Sequence, residues 1–213
     1  MSFDIICFDC DSTLSEIEGI DALAERVGCG PEMAALTNAA MNGEVSLESV
    51  YAQRLALIKP DKKAIDWLAD LYIEKIVPGV QEVFLQLHSQ GKQVHIISGG
   101  LKEAIIPLAE KLKVDANHVH AVEVLFASNG DYLDFNQQSP LARNGGKAEI
   151  CLQLNKADLK MAIVGDGNTD MEAKKAGAYC IGFGGVVARD IVREQADVFV
   201  ADSDLQAVLP YLL

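Results

Sequence analysis

Four short stretches concentrate the residue types that do chemistry. "DCDST" (9–13) holds two carboxylates and two hydroxyls, and "SGG" (98–100) a hydroxyl and two glycines. "NGGK" (144–147) holds two glycines and a lysine, and "GDGNTD" (165–170) two more carboxylates and a threonine. Crowded carboxylates repel: at about 4 Å and an effective dielectric near 20, each pair costs on the order of 4 kcal/mol. A hard cation relieves that cost. Mg²⁺ keeps several waters and takes one or two carboxylates plus a substrate phosphate. Glycines at a helix start open backbone N–H groups toward an anion, Ser98 adds a donor and Lys147 a fixed positive charge. Acids with a metal on one side and an anion cradle on the other suit a phosphoryl group attacked by a carboxylate.

A second pair overlaps the first stretch, since Cys7 and Cys10 in "CFDC" form a C-x-x-C. Along an extended chain these two thiols have opposite parity and point to opposite faces, whereas Asp9 and Asp11 share parity. A reactive C-x-x-C works on a turn or helix start, so the thiols read as packing and the carboxylates as the working pair. The five cysteines are scattered through apolar segments, a pattern of reduced thiols and a cytoplasmic setting. His88, His95, His118 and His120 show no metal-ligand spacing, and the last two are expected to be exposed near a strand start.

The elements that must position these residues follow from periodicity. "FDIICF" (3–8) reads as a buried strand ending at Asp9. From about Ser15 to Ile76 no strand signal occurs, and four amphipathic stripes predict four helices. The first stops at Gly28, the second runs from Pro31 to Asn42-Gly43, the third closes at Lys59-Pro60 and Asp61 caps the fourth. After "VPGV" (77–80) helices and strands alternate, with strands at 93–98, 160–166, 178–183 and 197–202. "HAVEVLFASNGDYLDF" reads as one hairpin about Asn129-Gly130. The alternation predicts an α/β fold with a doubly wound parallel sheet. Its core would be 1–15 and 77–213, and 16–76 a four-helix insertion. Ligands in such sheets bind beyond the carboxyl ends of the strands, where the four stretches fall.

Bulk properties narrow the function. The chain has 213 residues, half of them apolar, and a net charge of −13. That charge disfavours a nucleic-acid backbone or an anionic membrane surface as partner. The start "MSFDIICFDC" has no basic region and fits no signal peptide, and no stretch is long enough for a membrane span.

The quartet "DCDST", "SGG", "GGK" and "GDGNTD" resembles the four motifs of haloacid dehalogenase-type phosphohydrolases, in order and over nearly the whole chain. More narrowly, "DSTLSEIEGIDALA", "RLALIKP", "PGV", "IISGG", "GGKAEI" and "GDGNTDMEA" resemble the phosphoserine phosphatases within that superfamily. The resemblance implies Mg²⁺-dependent hydrolysis of a small phosphomonoester by a monomer or homodimer, with the helical insertion as a cap. It implies Asp9 as nucleophile and Asp11 as general acid and base. Mg²⁺ would be held by the Asp9 carboxylate, the Asp11 backbone carbonyl and Asp166, and Asp170 would steady its waters. Ser98, Gly99, Gly100 and Lys147 would cradle the phosphoryl oxygens, with Thr169 near the attacking water. Glu18 matches the position that meets a substrate ammonium, Arg54 the one that clamps its carboxylate and Met41 a pocket wall. The chain departs from the pattern at Asn42, where a glycine is expected, and at Leu47, where an aromatic gate is expected. Glu18 also suits the positive end of a helix, and Arg54 also fits a snorkelling edge residue.

Other readings use the same residues. Phosphohomoserine, phosphoethanolamine or another small phosphomonoester could replace phosphoserine, and an aspartyl-phosphate can pass its phosphoryl group to another alcohol. A signalling receiver module also clusters acids, Mg²⁺, a hydroxyl and a lysine, but the helical insertion and the second acid of D-x-D speak against it. A redox or zinc protein on Cys7 and Cys10 lacks a second C-x-x-C or a suitable histidine.

Overall fold

The computed structural model describes residues 2–42, 44–155 and 159–213, with the side chains of Glu32 and Met41 left aside. The Met41 pocket wall and the Gly43 helix stop therefore lie outside what is described. Strand β1 (Ile5–Phe8) is buried throughout, as a continuous apolar run in a sheet covered on both faces must be. Four helices precede any second strand: α1 (Gly19–Arg26), α2 (Gly30–Met41), α3 (Leu47–Ile58) and α4 (Lys62–Glu74). The alternation then begins with α5 (Val80–Ser89), β2 (Gln93–Leu101), α6 (Lys102–Lys111) and β3 (Val119–Val122). A hairpin of β4 (Val124–Phe126) and β5 (Tyr132–Phe135) leads to α7 (Gly146–Leu154) and β6 (Met161–Gly165). The chain closes with α8 (Asn168–Met171), β7 (Tyr179–Phe183), α9 (Asp190–Gln195), β8 (Val198–Val200) and α10 (Leu209–Leu212).

The helix boundaries have local causes. Pro31 sits in the first turn of α2, where its missing N–H costs nothing. Lys59 takes a left-handed conformation (φ 46°) that ends α3. The Asp61 carboxylate accepts the Ala64 N–H at 2.7 Å and caps α4. Leu23, Leu55, Leu68 and Tyr72 are buried from three of the four helices, each stabilising by roughly 1.5–3 kcal/mol.

β1 pairs in parallel with β2 on one side and β6 on the other, and the strand order is β3-β2-β1-β6-β7-β8. The chain winds outward from β1 in one direction and from β6 in the other, so the switch point lies between β1 and β6. Phe8 on β1 packs against Phe84 of α5 with ring centroids 4.9 Å apart.

Three expectations are corrected. Val119–Val122 is not the first arm of the hairpin: it joins the main sheet beside β2 as a parallel edge strand, and the hairpin is the shorter β4–β5 pair. The apolar alternation runs unbroken across Glu123, so periodicity did not expose the break. β2 continues through Ser98-Gly99-Gly100 to Leu101, with a register irregularity against β3 between Ile97 and Leu101. His118 and His120 are not simply exposed: both are half-buried and gather against His95. The β2–β3 register, which the sequence pattern did not show, puts His120 on the face of His95.

Candidate active site

The carboxyl ends of β1 and β6 place Asp9 and Asp166 side by side at the switch point. Asp9 continues the β1–β6 ladder by donating its N–H to the Val164 carbonyl at 2.9 Å, which fixes where its carboxylate emerges. Asp170, on the first turn after β6, completes a buried trio: carboxylate oxygens of Asp9, Asp166 and Asp170 lie within 4.8 Å of one another. Lys147, in the first turn of α7, reaches between them, 2.9 Å from Asp9 Oδ1 and 2.7 Å from Asp170 Oδ1. The Gly167 N–H donates to Asp170 Oδ2 at 3.1 Å.

Asp11 stands apart from this trio and faces the helices. Its Oδ1 accepts the Gly19 N–H of α1 at 2.8 Å and the Tyr72 hydroxyl of α4 at 2.6 Å. The β2 segment presses against its other oxygen: a Cβ at Gly100 would sit 2.9 Å from Asp11 Oδ2 and 3.2 Å from Ser98 Oγ. Glycine at 100 is thus required by close approach. Ser98 Oγ accepts the Gly100 N–H at 3.0 Å.

Glu18 precedes α1 and accepts the Ser12 hydroxyl at 2.8 Å. Arg54 projects from α3, and its Nη2 lies 2.9 Å from Asp21 Oδ1 and 2.6 Å from Thr37 Oγ1. Its buried Nε has no hydrogen-bond partner among the described residues, an orphan donor of the sort a bound acceptor satisfies. Asp9, Asp11, Glu18, Leu47, Arg54, Gly99, Lys147, Asp166 and Thr169 all line one cleft of about 560 Å³, counting its open mouth. Ser98, Gly100 and Asp170 join it through the contacts above. Leu47 occupies the cleft wall where an aromatic gate was expected, while Asn42 points to Glu44 at 3.2 Å.

Sequence reasoning missed several residues of this neighbourhood. Arg189 is buried beside it, its Nε 3.2 Å from Asp166 Oδ2 and its Nη1 3.0 Å from Asn38 Oδ1 of α2. Glu18 Oε1 lies 3.7 Å from its Nη2. The signal was available: "GFGGVVAR" follows β7, whose carboxyl end adjoins that of β6. Tyr72 of α4 and Tyr51 of α3 have rings buried in the core, yet the Tyr51 hydroxyl donates to the Gly99 carbonyl at 2.8 Å. Asn144 accepts the Leu47 N–H at 2.9 Å, and its own N–H donates to Glu48 at 3.0 Å. Through these bonds the four helices and the sheet ends meet around the cleft.

Five carboxyls (Asp9, Asp11, Glu18, Asp166, Asp170) face two cations, Lys147 and Arg189. Burial first, then the Asp9 charge, pushes Asp11 up to about 6 and Asp166 up to about 8. Burial also raises Asp170, to about 7, against the opposing pull of Lys147. Glu18 is raised well above the usual range by burial and the Asp11 charge. Burial alone would lower Lys147, but Asp170 and Asp9 outweigh it and hold it above its ordinary value. Carboxyls raised by burial and by one another's charge form an all-oxygen donor set short of positive charge. That fits a hard dication such as Mg²⁺. Cys7 and Cys10 are buried free thiols.

Among the described residues no helix is long and apolar enough to cross a membrane. The family model of haloacid dehalogenase-like hydrolases matches residues 6–175. Phosphoserine phosphatase of Bos taurus is 37% identical over 204 residues, covering 94% of this chain and 90% of that protein. The chloroplastic phosphoserine phosphatase of Arabidopsis thaliana is 38% identical over 200 residues, covering 92% and 68%. A solved substrate-bound phosphoserine phosphatase complex superposes over both full chains with TM-score 0.84 at 28% identity. A phospho-aspartyl intermediate analogue of phosphoserine phosphatase does so with TM-score 0.83 at 28% identity. The family-model match over most of the chain and the whole-length likeness to these relatives lead to one conclusion: the chain belongs to the haloacid dehalogenase-like hydrolase family.

Proposed function

We propose that the chain is a phosphoserine phosphatase, converting O-phospho-L-serine to L-serine and phosphate, and so serves the last step of serine biosynthesis. The observation that carries the reading is the pairing of Lys147 with Asp9 and Asp170 at one end of a cleft whose other end holds Arg54 with an unsatisfied Nε. Phosphate would sit at the first end and the amino-acid carboxylate at the second. Arg54 is committed to Asp21 and Thr37 through Nη2, which leaves its Nε–H to donate to a carboxylate oxygen. Glu18 would meet the ammonium. Residues 16–76 would form the cap over a core of 1–15 and 77–213.

In this reading the Asp9 carboxylate attacks phosphorus and the bond from phosphorus to the serine oxygen breaks. Asp11, raised to about 6, gives its proton to the departing alkoxide. It then takes a proton from the water that hydrolyses the aspartyl-phosphate; such transfers typically contribute about 10²–10⁴-fold. Ser98, Gly99, Gly100 and Lys147 hold the phosphoryl oxygens, and Thr169 orients the water. Mg²⁺, held by Asp9, Asp166 and the Asp11 carbonyl with Asp170 steadying its waters, would supply charge neutralisation at the phosphoryl group.

The test is phosphate release with and without Mg²⁺ from L-phosphoserine, phosphohomoserine and phosphoethanolamine. Mg²⁺-dependent turnover favouring phosphoserine is expected. A preference for phosphoethanolamine, or for transfer to an added alcohol over water, contradicts the reading and supports a related phosphatase or phosphotransferase.

A further inference from the structure

Three of the four histidines of the chain stand together at the β2–β3 edge of the sheet. β2 pairs Ile96 with Val119 and Ile97 with His120, and His118 ends the 3-10 turn that leads into β3. Paired residues of parallel strands share a face, as do residues two apart on one strand. His95 and His120 therefore project to the same side of the edge pair, and the ring contact with His95 brings His118 to them. The contacts agree. His95 Nδ1 lies 3.1 Å from His120 Nε2. The His95 ring lies over His118 with centroids 4.2 Å apart at a 31° tilt, and 5.3 Å from His120 at 26°. His95 is buried, while half-buried His118 and His120 open the group to solvent.

Two ligand nitrogens of one tetrahedral ion, each about 2.0–2.1 Å from the metal, are themselves about 3.3 Å apart. The His95–His120 separation is close to that span. Burial, then the neighbouring histidines, lower His95 to about 3, and burial, His118 and Lys102 lower His120 to about 4. Both rings are thus neutral over the working range and keep lone pairs for a metal. The Lys102 ammonium, the adjoining positive charge, is paired with Glu123 at 3.1 Å.

We infer that His95, His118 and His120 form a site for a divalent transition-metal ion of the zinc, nickel or copper class, tying edge strand β3 to β2 three residues before Ser98. Imidazole nitrogen suits these ions, whereas Mg²⁺ prefers the oxygen trio, so the two sites take different metals. His95 and His120 supply the preset pair. The N–H that bridges them passes to the other nitrogen of its ring, freeing both lone pairs. His118 now stacks on His95, and among the described residues only the acid trio already has three ligand atoms within 4.8 Å. His118 therefore turns about its side-chain bonds to complete the set, which its exposure permits. None of this rests on the phosphatase reading.

The test uses the full chain with saturating Mg²⁺, so that the acid trio is occupied. One Cu²⁺ per chain should bind with an electron paramagnetic resonance spectrum split by two or more imidazole nitrogens. Zn²⁺ at a hundredfold excess over its dissociation constant should raise Tm by about 5 °C or more. His118→Asn/His120→Asn should weaken Zn²⁺ binding by a hundredfold or more, and His120→Asn alone by at least tenfold. A Cu²⁺ spectrum with oxygen donors only, no Zn²⁺ effect on Tm, or unchanged affinity in a folded variant overturns the site. If neither variant folds, the wild-type Cu²⁺ spectrum decides.

Discussion

Replacing Arg54 by alanine separates recognition of the substrate carboxylate from phosphate chemistry. In the structure the Arg54 guanidinium is buried, with Nη2 held by Asp21 at 2.9 Å and by Thr37 at 2.6 Å and with Nε unpartnered. Nη2 is thus fixed, and Nε remains to donate a charge-assisted hydrogen bond to a substrate carboxylate. A hydrogen bond to a charged group contributes about 1.5–3 kcal/mol, so losing the one that Nε donates should cost roughly 10–100-fold in kcat/KM for L-phosphoserine. Phosphoethanolamine keeps the phosphate and the ammonium but lacks the carboxylate, so its kcat/KM should fall by less than about threefold. Arg54→Lys should recover part of the loss, because an ammonium keeps the charge but lacks the planar, pre-organised fork. Steady-state kinetics with both substrates, beside Tm values showing that the variant is folded, give the answer. Equal losses on the two substrates refute the carboxylate clamp and leave Arg54 as a strut for Asp21.

Other expectations come from the same contacts. Gly100→Ala would drive a methyl to 2.9 Å from Asp11 Oδ2, whereas at Gly99 the nearest atom is the Leu141 carbonyl at 3.5 Å; kcat should drop at least tenfold for the first and stay within about threefold for the second. The Tyr72 hydroxyl lowers Asp11 against the upward push of burial and Asp9, so Tyr72→Phe should move the Asp11 limb of the pH–kcat profile upward. Asp166 is raised to about 8 in the folded, metal-free chain, above its unfolded value near 3.9. Its contribution is therefore fully present below about pH 4 and is lost as pH rises through about 8. Metal-free Asp166→Asn should accordingly gain Tm relative to the parent between pH 5 and pH 8, and a difference that does not grow with pH contradicts that assignment. Mg²⁺ binding at pH 7 should release protons, measurable by calorimetry in buffers of different ionisation enthalpy.

The parts of the fold that were legible in the sequence are those governed by local patterns. The buried run 5–8, the helix cap at Asp61 and the glycine-bounded strand ends each follow from a few adjacent residues, and they bring Asp9, Lys147, Asp166 and Asp170 together. The residues that were not legible depend on distant partners. Tyr72 looks like core on α4 because its ring is core; only its hydroxyl reaches Asp11. Arg189 meets Asp166 and Asn38 through contacts spanning 23 and 151 residues. The split between β3 and the hairpin at Glu123, and the gathering of the histidines, are set by strand register. Periodicity gives a strand's faces but not its neighbour.

The most direct test of the central claim is to quench the enzyme during turnover of L-phosphoserine with Mg²⁺, reduce it with borohydride, and map the reduced residue by mass spectrometry. Reduction of an aspartyl-phosphate converts that aspartate to homoserine. The account predicts homoserine at position 9, dependent on substrate. Turnover with position 9 unmodified, or homoserine at position 11 instead, contradicts it.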